Sequence, residues 1–246
     1  MKKKAFVVLL AFLILTAVQS VQAAPLIDIE VGKPEEPAQF VDSINILILL
    51  TILTLVPSIL VLVTSFTRIV VVLSFLRNAL STPQTPPNQV LIGLALFLTF
   101  FIMAPVYGQI TREAVNPYLE GTITQKEALE TASGPLKEFM LRQTREKDLA
   151  LFVKLSQDEL PEDRMDVALT TVIPAFIISE LKTAFIIGFL LYIPFIVIDL
   201  IVSSILMSMG MFMLPPATIS LPFKLLLFIL VDGWHLIVKS LVEGFV

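Results

Sequence analysis

Residues 170–214 read TTVIPAFIISELKTAFIIGFLLYIPFIVIDLIVSSILMSMGMFML, and this apolar run decides the fold. At about 1.5 Å per residue, a single helix over the run would be about 67 Å long, roughly twice the ~30 Å hydrocarbon core of a membrane. We therefore expect the run to break, with Pro194 and the pair Pro215-Pro216 as the breakpoints.

Three further apolar blocks accompany this run, at residues 44–76, 90–107 and 221–242. Hydrophobic residues make up 56% of the chain and charged residues only 15%, whereas about a quarter of a soluble domain is charged. Because backbone groups in lipid must be satisfied within the chain, all four blocks should be helical. The sequence predicts an all-α membrane protein with about four long apolar helical segments, kinked or broken at prolines.

The N-terminus has the pattern of a secretory signal peptide over residues 1–23. Three lysines precede a short apolar stretch, and Val21-Gln22-Ala23 favours cleavage after Ala23. An uncleaved anchor is the alternative, although the apolar stretch is shorter than the roughly 20 residues that a span needs. Residues 24–42 form a polar leader that we expect to be flexible.

Basic residues predict the orientation of the rest of the chain. Arg68 and Arg77 flank a loop without acidic residues, so this loop between the two apolar segments of residues 43–109 should be cytoplasmic. The charge-rich residues 110–167 should then form a small periplasmic helical domain. Residues 168–246 complete the chain as an apolar helical hairpin with a methionine-rich loop.

The predicted periplasmic domain carries clear local helix signals. Thr124 and Glu127 fit a capping box, and Ser133-Gly134-Pro135 should end the helix that it begins. So small a domain cannot close a large core alone. We expect the faces that carry Phe139 and Phe152 to pack on a neighbouring subunit or on the membrane helices; packing only within the domain is the alternative.

Charged side chains inside apolar segments are costly and usually face a partner or water. They are Arg68, Glu180, Lys182, Asp199, Lys224, Asp232 and Lys239, with His235 beside them. Glu180 and Lys182 point to different sides of a helix, so each needs a partner elsewhere. We prefer a pair between Glu180 and Lys224, within or between subunits; the alternative is that each lies hydrated near an interface. For Asp232 and His235, one helical turn apart, a hydrogen-bonded pair is favoured over a proton relay.

Half of the eight methionines fall in one short stretch: Met207, Met209, Met211 and Met213. A spacing of two places them on one side of an extended chain but not on one stripe of a helix. Gly210 and the following prolines favour a non-helical loop. Since methionine is flexible and fills irregular gaps, such a loop could form a deformable plug in a pore. Apolar packing at the tip of a hairpin is the alternative.

Several kinds of function are excluded by composition. The chain has no cysteine and a single histidine, which removes disulfides, thiolate nucleophiles and Cys/His zinc sites. A formal charge of −4 gives no general attraction for nucleic acid. We find no catalytic motif, so we predict neither an enzyme nor a cofactor or metal site.

Two stretches resemble signatures of the flagellar biosynthetic protein FliP family. One is PAFIISELKTAFIIGF at residues 174–189, and the other runs from PFKL at 222–225 through DGW at 232–234. The resemblance extends through LSFLRNAL at 73–80 and PPNQV at 86–90, and covers nearly all of the chain from Asp42 onward. Two departures are Ile186, where a polar or charged residue is usual, and Phe212, where the family often has another methionine.

The resemblance implies a core subunit of the export gate of the flagellar type III secretion system, in the bacterial inner membrane at the flagellar basal body. Such subunits form a ring, expected to be a pentamer, that is completed by FliQ-like and FliR-like subunits. Unfolded flagellar proteins pass through it with the help of other export apparatus proteins. The assembled core is expected at or above the periplasmic face of the membrane.

The resemblance also assigns roles to individual residues. A methionine-rich pore gasket would comprise Met207, Met209, Met211, Phe212 and Met213. Inter-subunit contacts are expected at Glu180, Lys224, Phe139 and Phe152.

Two rival functions stay open at this point. The closer one is the equivalent subunit of a virulence-type injectisome. The other, from a different class, is a proton or solute transporter that uses Asp199, Asp232 and His235, although we find no inverted repeat to support it.

Overall fold

The computed structural model describes residues 37–156 and 163–245, and these two parts are helical, without a strand. The predicted signal peptide and the leader up to residue 36 lie outside the described residues. In chain order the helices are α1 (Pro37–Leu62), α2 (Phe66–Ala79), α3 (Asn88–Ile110), a π-helical turn (Thr111–Val115), α4 (Asn116–Leu119), α5 (Gln125–Gln143), α6 (Glu146–Ser156), a 3₁₀ turn (Arg164–Asp166), α7 (Leu169–Ser208), α8 (Pro216–Leu230) and α9 (Gly233–Glu243). The all-α prediction is confirmed.

The chain divides into two compact units, residues 1–53 and 54–246. In the first, the described residues belong to the beginning of α1. That helix starts at Pro37, so the last six residues of the predicted flexible leader are helical instead. Its apolar side chains from Ile44 to Leu53 include many that are exposed.

The core of the second unit forms where α7 packs against α2, α5, α6 and α8. Its largest fully buried apolar side chains include Phe176 of α7 and Ile69, Leu73 and Leu76 of α2. Helices α2 and α7 approach closely at Gly188, where an added Cβ would lie 2.5 Å from the ring of Phe75. A glycine is therefore needed at this crossing.

Helix α7 is continuous over 40 residues, so the predicted break at Pro194 is wrong. At about 1.5 Å per residue, it is about 60 Å long. Pro174 and Pro194 both lie inside it. A proline removes one backbone hydrogen bond and costs about 3 kcal/mol in a helix. Packing offsets this cost at Pro174, in the covered first half of α7, whereas Pro194 is exposed and the helix continues through it. The predicted break at Pro215-Pro216 is confirmed, because Pro215 precedes the first residue of α8.

Helix α5 confirms one local prediction and corrects another. The Thr124 hydroxyl accepts from the Glu127 amide, and the Glu127 carboxylate accepts from the Thr124 amide, which completes the capping box. The helix does not end at Ser133-Gly134-Pro135 but continues to Gln143. Pro135 is buried, so packing again compensates for the lost backbone hydrogen bond.

Two of the described helical stretches are long and apolar enough to cross a membrane, Asn88–Leu119 and Leu169–Ser208. A third is obtained if α8 and α9, which are bent by 62° at a short break, are counted as one span. The four apolar blocks are thus mostly helical where they are described, with turns at residues 63–65, 209–214 and 231–232, and two or three of the resulting helices meet the length and composition of a span.

Candidate functional site

The most heavily bonded buried charge is Arg68 of α2. Its Nε donates to Glu180 Oε2 at 2.9 Å and its Nη2 donates to Glu180 Oε1, which forms a bidentate ion pair with α7. Glu180 has no exposed surface and Arg68 is only 4% exposed. Two parallel hydrogen bonds fix the orientation of both side chains as well as their separation.

The remaining donors of Arg68 join two more segments to this pair. Nη1 donates to the carbonyl of Gly244 at 3.1 Å, and Nη2 donates to Gln143 Oε1 at 3.1 Å. The guanidinium also lies 3.8 Å from the centre of the Phe245 ring, a cation–π contact. This set, which we call the Arg68 cluster, therefore ties α2, α5, α7 and the C-terminal end of the chain together.

A second buried cluster surrounds Lys224 of α8, whose side chain has no exposed surface. Its Nζ donates to Asp199 Oδ2 at 2.6 Å, to Ser81 Oγ at 2.6 Å and to the carbonyl of Ala79 at 3.2 Å. All three donors are satisfied, and the cation lies at the C-terminal end of α2, where unpaired carbonyls favour positive charge. Ser220 also donates to Asp199, at 2.5 Å.

The predicted pair between Glu180 and Lys224 is wrong within the chain, since each has a different partner. Glu180 and Asp199 are 19 residues apart on the continuous helix α7, which is about 28 Å. Lys224 reaches only the second of these carboxylates. Because Glu180 and Lys224 are both completely covered within one chain, any role at subunit contacts would be indirect, and that role stays a prediction.

Helix α6 is fixed to α7 by a third polar group. Ser179 donates to Asp148 Oδ2 at 2.6 Å and accepts from the Arg145 amide at 3.2 Å, while the Arg145 side chain pairs with Asp148. Burial alone would raise the pKa of Asp148, but the hydrogen bonds from Ser179 and Arg145, together with the charges of Arg145 and Lys182, hold its pKa below the ordinary value of 3.8.

This lowered pKa predicts how acid affects the helical domain. A carboxylate whose pKa is lower in the folded state stabilises the protein above its unfolded-state pKa, and this stabilisation is lost as the pH falls through the folded-state pKa. We expect the midpoint temperature of unfolding of the wild type to drop below about pH 4. Asp148→Asn should be less stable at pH 7 and should lose less on acidification. Thermal unfolding followed by circular dichroism from pH 7 to pH 3 measures both; parallel curves for the two proteins would contradict the role of Asp148.

The aromatic residues of the predicted periplasmic domain pack on the long apolar helix. Phe139 is buried, with its ring 6.0 Å from that of Phe176 and 6.2 Å from that of Phe245. Phe152 is partly buried against the same core. The sequence left open whether these rings pack only within the domain or on helices outside it, and contact with an apolar helix outside the domain is observed. Contacts of Phe139 and Phe152 with another subunit stay a prediction.

The methionine-rich segment forms the turn between α7 and α8, as its glycine and prolines predicted. Gly210 has a φ of +76°, and the amides of Gly210 and Met211 donate to the carbonyls of Met207 and Leu206, both at 3.0 Å. These two bonds form a Schellman motif, which satisfies the last carbonyls of α7. Met207 belongs to the last turn of α7, and the segment is therefore turned rather than extended.

All five residues of the predicted gasket are exposed in the single chain. The exposed fraction of their surface is 56% for Met207, 68% for Met209, 37% for Met211, 76% for Phe212 and 96% for Met213. So exposed an apolar loop at the tip of a helical hairpin is available for contact with another chain or with a transported molecule.

Asp232 and His235 do not form the predicted hydrogen-bonded pair in the described part of the chain. Asp232 adopts a left-handed backbone, with φ at 50°, at the bend between α8 and α9. Both side chains are exposed. Asp199 is paired with Lys224 in the other cluster and, among the described residues, has no hydrogen bond or ion pair with Asp232 or His235.

Four residues of these clusters were not identified as site residues from the sequence: Gln143, Ser81, Ser179 and Asp148. They are ordinary polar residues in their local sequence context, and their partners lie on other helices. The Asp199–Lys224 pair, in contrast, could have been predicted from its spacing in the sequence. Its two members lie at nearly equal distances from the middle of the methionine loop, as expected for neighbours in an antiparallel helical hairpin.

These features define an all-helical membrane protein with internal ion-pair clusters and an exposed methionine-rich hairpin tip. The sequence model of the FliP family matches residues 49–241. The chain is 56% identical over 217 residues to flagellar biosynthetic protein FliP of Bacillus subtilis (strain 168), covering 88% of this chain and 98% of that one. It is 51% identical over 240 residues to the protein of that name from Aquifex aeolicus (strain VF5), covering 96% and 98%.

The chain therefore belongs to the FliP family. It is a membrane-associated component of the flagellar export apparatus. The resemblance identified from residues 174–189 and 222–234 is confirmed.

Proposed function

We propose that this chain is a core subunit of the flagellar type III secretion export gate. Together with FliQ-like and FliR-like subunits, it would form the channel through which unfolded flagellar proteins leave the cell. It transports polypeptide and carries no active site. Its place is the inner membrane at the flagellar basal body, with other export apparatus proteins beside it.

The observation that carries this proposal is an uncovered apolar face on the second half of α7. The first half of the helix is covered by α2, α5 and α6, and contains most of its fully buried residues. From Phe185 onward, large apolar side chains recur on one broad face with at least a third of their surface exposed: Phe185, Ile186, Phe189, Leu190, Ile193, Ile196, Val197, Leu200, Ile201 and Ile205.

Ten large apolar side chains exposed along one face of a helix mark a surface that is covered in the native state, and we propose that further helices cover it. In a closed ring of identical chains, each copy would cover this face of its neighbour with the same opposing surface. We propose a pentamer, completed by the other subunit types. The assembled helices would then lie at or above the periplasmic face of the membrane and contact protein rather than lipid.

The methionine loop begins where this apolar face ends, in the last turn of α7. In a ring, the equivalent loops of all subunits would meet near one axis. Their flexible, apolar side chains would close the channel to ions and yield to a passing polypeptide. Phe212 adds a bulky, stiffer ring to this gasket.

We expect simultaneous replacement of Met209, Met211 and Met213 by alanine to leave assembly intact but to make the membrane leaky to ions. Shorter side chains leave a gap where the long ones met. The measurement is ion conductance of cells that express the variant with its partner subunits, alongside the size of the purified complex. Met165→Ala is the matched control, because this exposed methionine lies far from the loop in sequence. Unchanged conductance in an intact complex would falsify the gasket, whereas a chain that stays monomeric with its partners present would contradict the ring itself.

A further inference from the structure

Helix α9 is attached to the rest of the protein mainly at its two ends. Its backbone lies near that of α8, the preceding helix, at more positions than near any other helix. The residues that it buries lie on one narrow face: Gly233, Ile237 and Leu241. Among the described residues, no side chain of α9 forms a hydrogen bond or ion pair with another helix, since Lys239 pairs with Glu243 within α9 itself.

The inner side of α9 is loosely packed. Two adjoining cavities of about 290 Å³ and 210 Å³ lie beneath it, and both are lined by Leu191 of α7 and by Leu236 and Ile237 of α9. From α2, Val72 borders the smaller cavity and Leu76 the larger. Side chains that border a gap lack the dispersion contacts of a packed core. The middle of α9 therefore contributes little to holding the helix in place.

At its beginning, α9 is bent by 62° from α8. Asp232, the residue at the bend, adopts a left-handed backbone with φ at 50°, a conformation that costs energy for a residue with a side chain. Gly233 lies so close to Phe228 that an added Cβ would be 2.2 Å from that ring. The change of direction is thus confined to two residues between two helices, which is the structure of a hinge.

The far end of α9 is fixed by the two residues that follow it. The Gly244 carbonyl accepts from Arg68 Nη1 at 3.1 Å, and the Phe245 carbonyl accepts from Gln143 Nε2 at 3.3 Å. Phe245 is only 3% exposed. Its ring lies 3.8 Å from the guanidinium of Arg68 and 6.2 Å from the nearly parallel ring of Phe139. Most of the attachment of α9 is therefore concentrated at this end.

We propose that α9 is a strap that opens about the bend between α8 and α9 when Phe245 leaves its place beside Arg68. Arg68 binds Gly244 through Nη1 but Glu180 through Nε and Nη2, so the central ion pair stays intact when the strap opens. Opening exposes the apolar residues of α2 and α7 that border the two cavities, and closing hides them. Phe245 is the latch that determines how much of this surface the protein presents.

The chain contains no cysteine, so a single introduced cysteine reports the accessibility of one position. Ile237→Cys places it on the inner face of α9, where the native side chain is 7% exposed. Val172→Cys places it in the core of α7, where the native side chain is fully buried. The rate of reaction with N-ethylmaleimide, in the full chain in detergent, measures how often each position opens to solvent.

Without a further substitution, both cysteines should react far more slowly than one placed at Leu230, which is 73% exposed. Phe245→Ala should accelerate the reaction at position 237 about a hundredfold, because the loss of a buried ring removes much of the attachment of the strap. The rate at position 172 should stay the same. Phe223→Ala is the matched control: Phe223 of α8 is 56% exposed, and its loss should change neither rate.

Three results would overturn the proposal. Equal acceleration at both positions in Phe245→Ala would mean that the whole protein is destabilised. No acceleration at position 237 would show that Phe245 does not hold the strap. A reaction at position 237 as fast as at position 230, without any further substitution, would show that α9 is not closed. None of these results depends on the ring or on the methionine loop, so the proposed gate function is tested separately.

Discussion

Replacing Glu180 by alanine is expected to lower the free energy of unfolding by about 3–5 kcal/mol, because Arg68 is left charged and buried without its partner. Arg68→Ala should cost a similar amount for the converse reason. The two variants should not be additive, since the second replacement removes the charge that the first left unpaired. Chemical unfolding of the full chain in detergent, for the wild type, both single variants and the double variant, measures the coupling between the two residues.

A surface ion pair provides the matched control for this cycle. Lys126 and Glu130 lie one turn apart on α5 with 86% and 68% of their side chains exposed. Exposed pairs contribute about 0–1 kcal/mol, so Glu130→Ala should change little. If Glu180→Ala were as mild as Glu130→Ala, the Arg68 cluster would not be holding the four segments together.

Replacing Phe176 by alanine is expected to destabilise the isolated chain by about 3–5 kcal/mol, as a large ring is removed from a packed core. Phe176 has no exposed surface and packs edge-on against Phe139. Phe189→Ala on the same helix should change the stability of the isolated chain by at most about 0.5 kcal/mol, since Phe189 is 63% exposed. Thermal unfolding of both variants gives the comparison.

The same two variants should reverse their order when assembly is measured. Phe189 lies on the apolar face that we propose to be covered in the ring, so Phe189→Ala should reduce the yield of assembled complex on size-exclusion chromatography. A complex formed in normal yield by Phe189→Ala, and by a second variant such as Leu200→Ala, would show that this face is not the contact between subunits.

The sequence was sufficient for those features that depend on short-range patterns. Apolar composition predicted the helical class, the Thr124–Glu127 spacing predicted a capping box, and Gly210 with the following prolines predicted the turn after α7. Each of these rests on residues within a few positions of one another, where backbone geometry alone decides the outcome.

The pairing of buried charges was not predictable in the same way. Arg68 and Glu180 are 112 positions apart, and their proximity depends on how α2 crosses α7. The continuous path of α7 through Pro194 was not predictable either, because one proline leaves most of the backbone hydrogen bonds of a 40-residue helix in place. Among the buried charges, only Asp199 and Lys224 could have been paired from the sequence, because they lie at similar sequence distances from the hairpin tip. The preferred pair of Glu180 and Lys224 does not have this spacing.

The unbroken length of α7 gives it the properties of a lever arm. One end is clamped near Glu180 by the Arg68 cluster and by Ser179, and the other carries the methionine turn. From Glu180 to the end of α7 at Ser208 the helix is about 42 Å long, so a tilt of about 5° at the clamp would swing the far tip by about 4 Å. Small adjustments among the polar contacts of residues 110–167 would thus be magnified at the hairpin tip if the bonds of Lys224 to Ala79 and Ser81 yield, with no need for the turn itself to unfold.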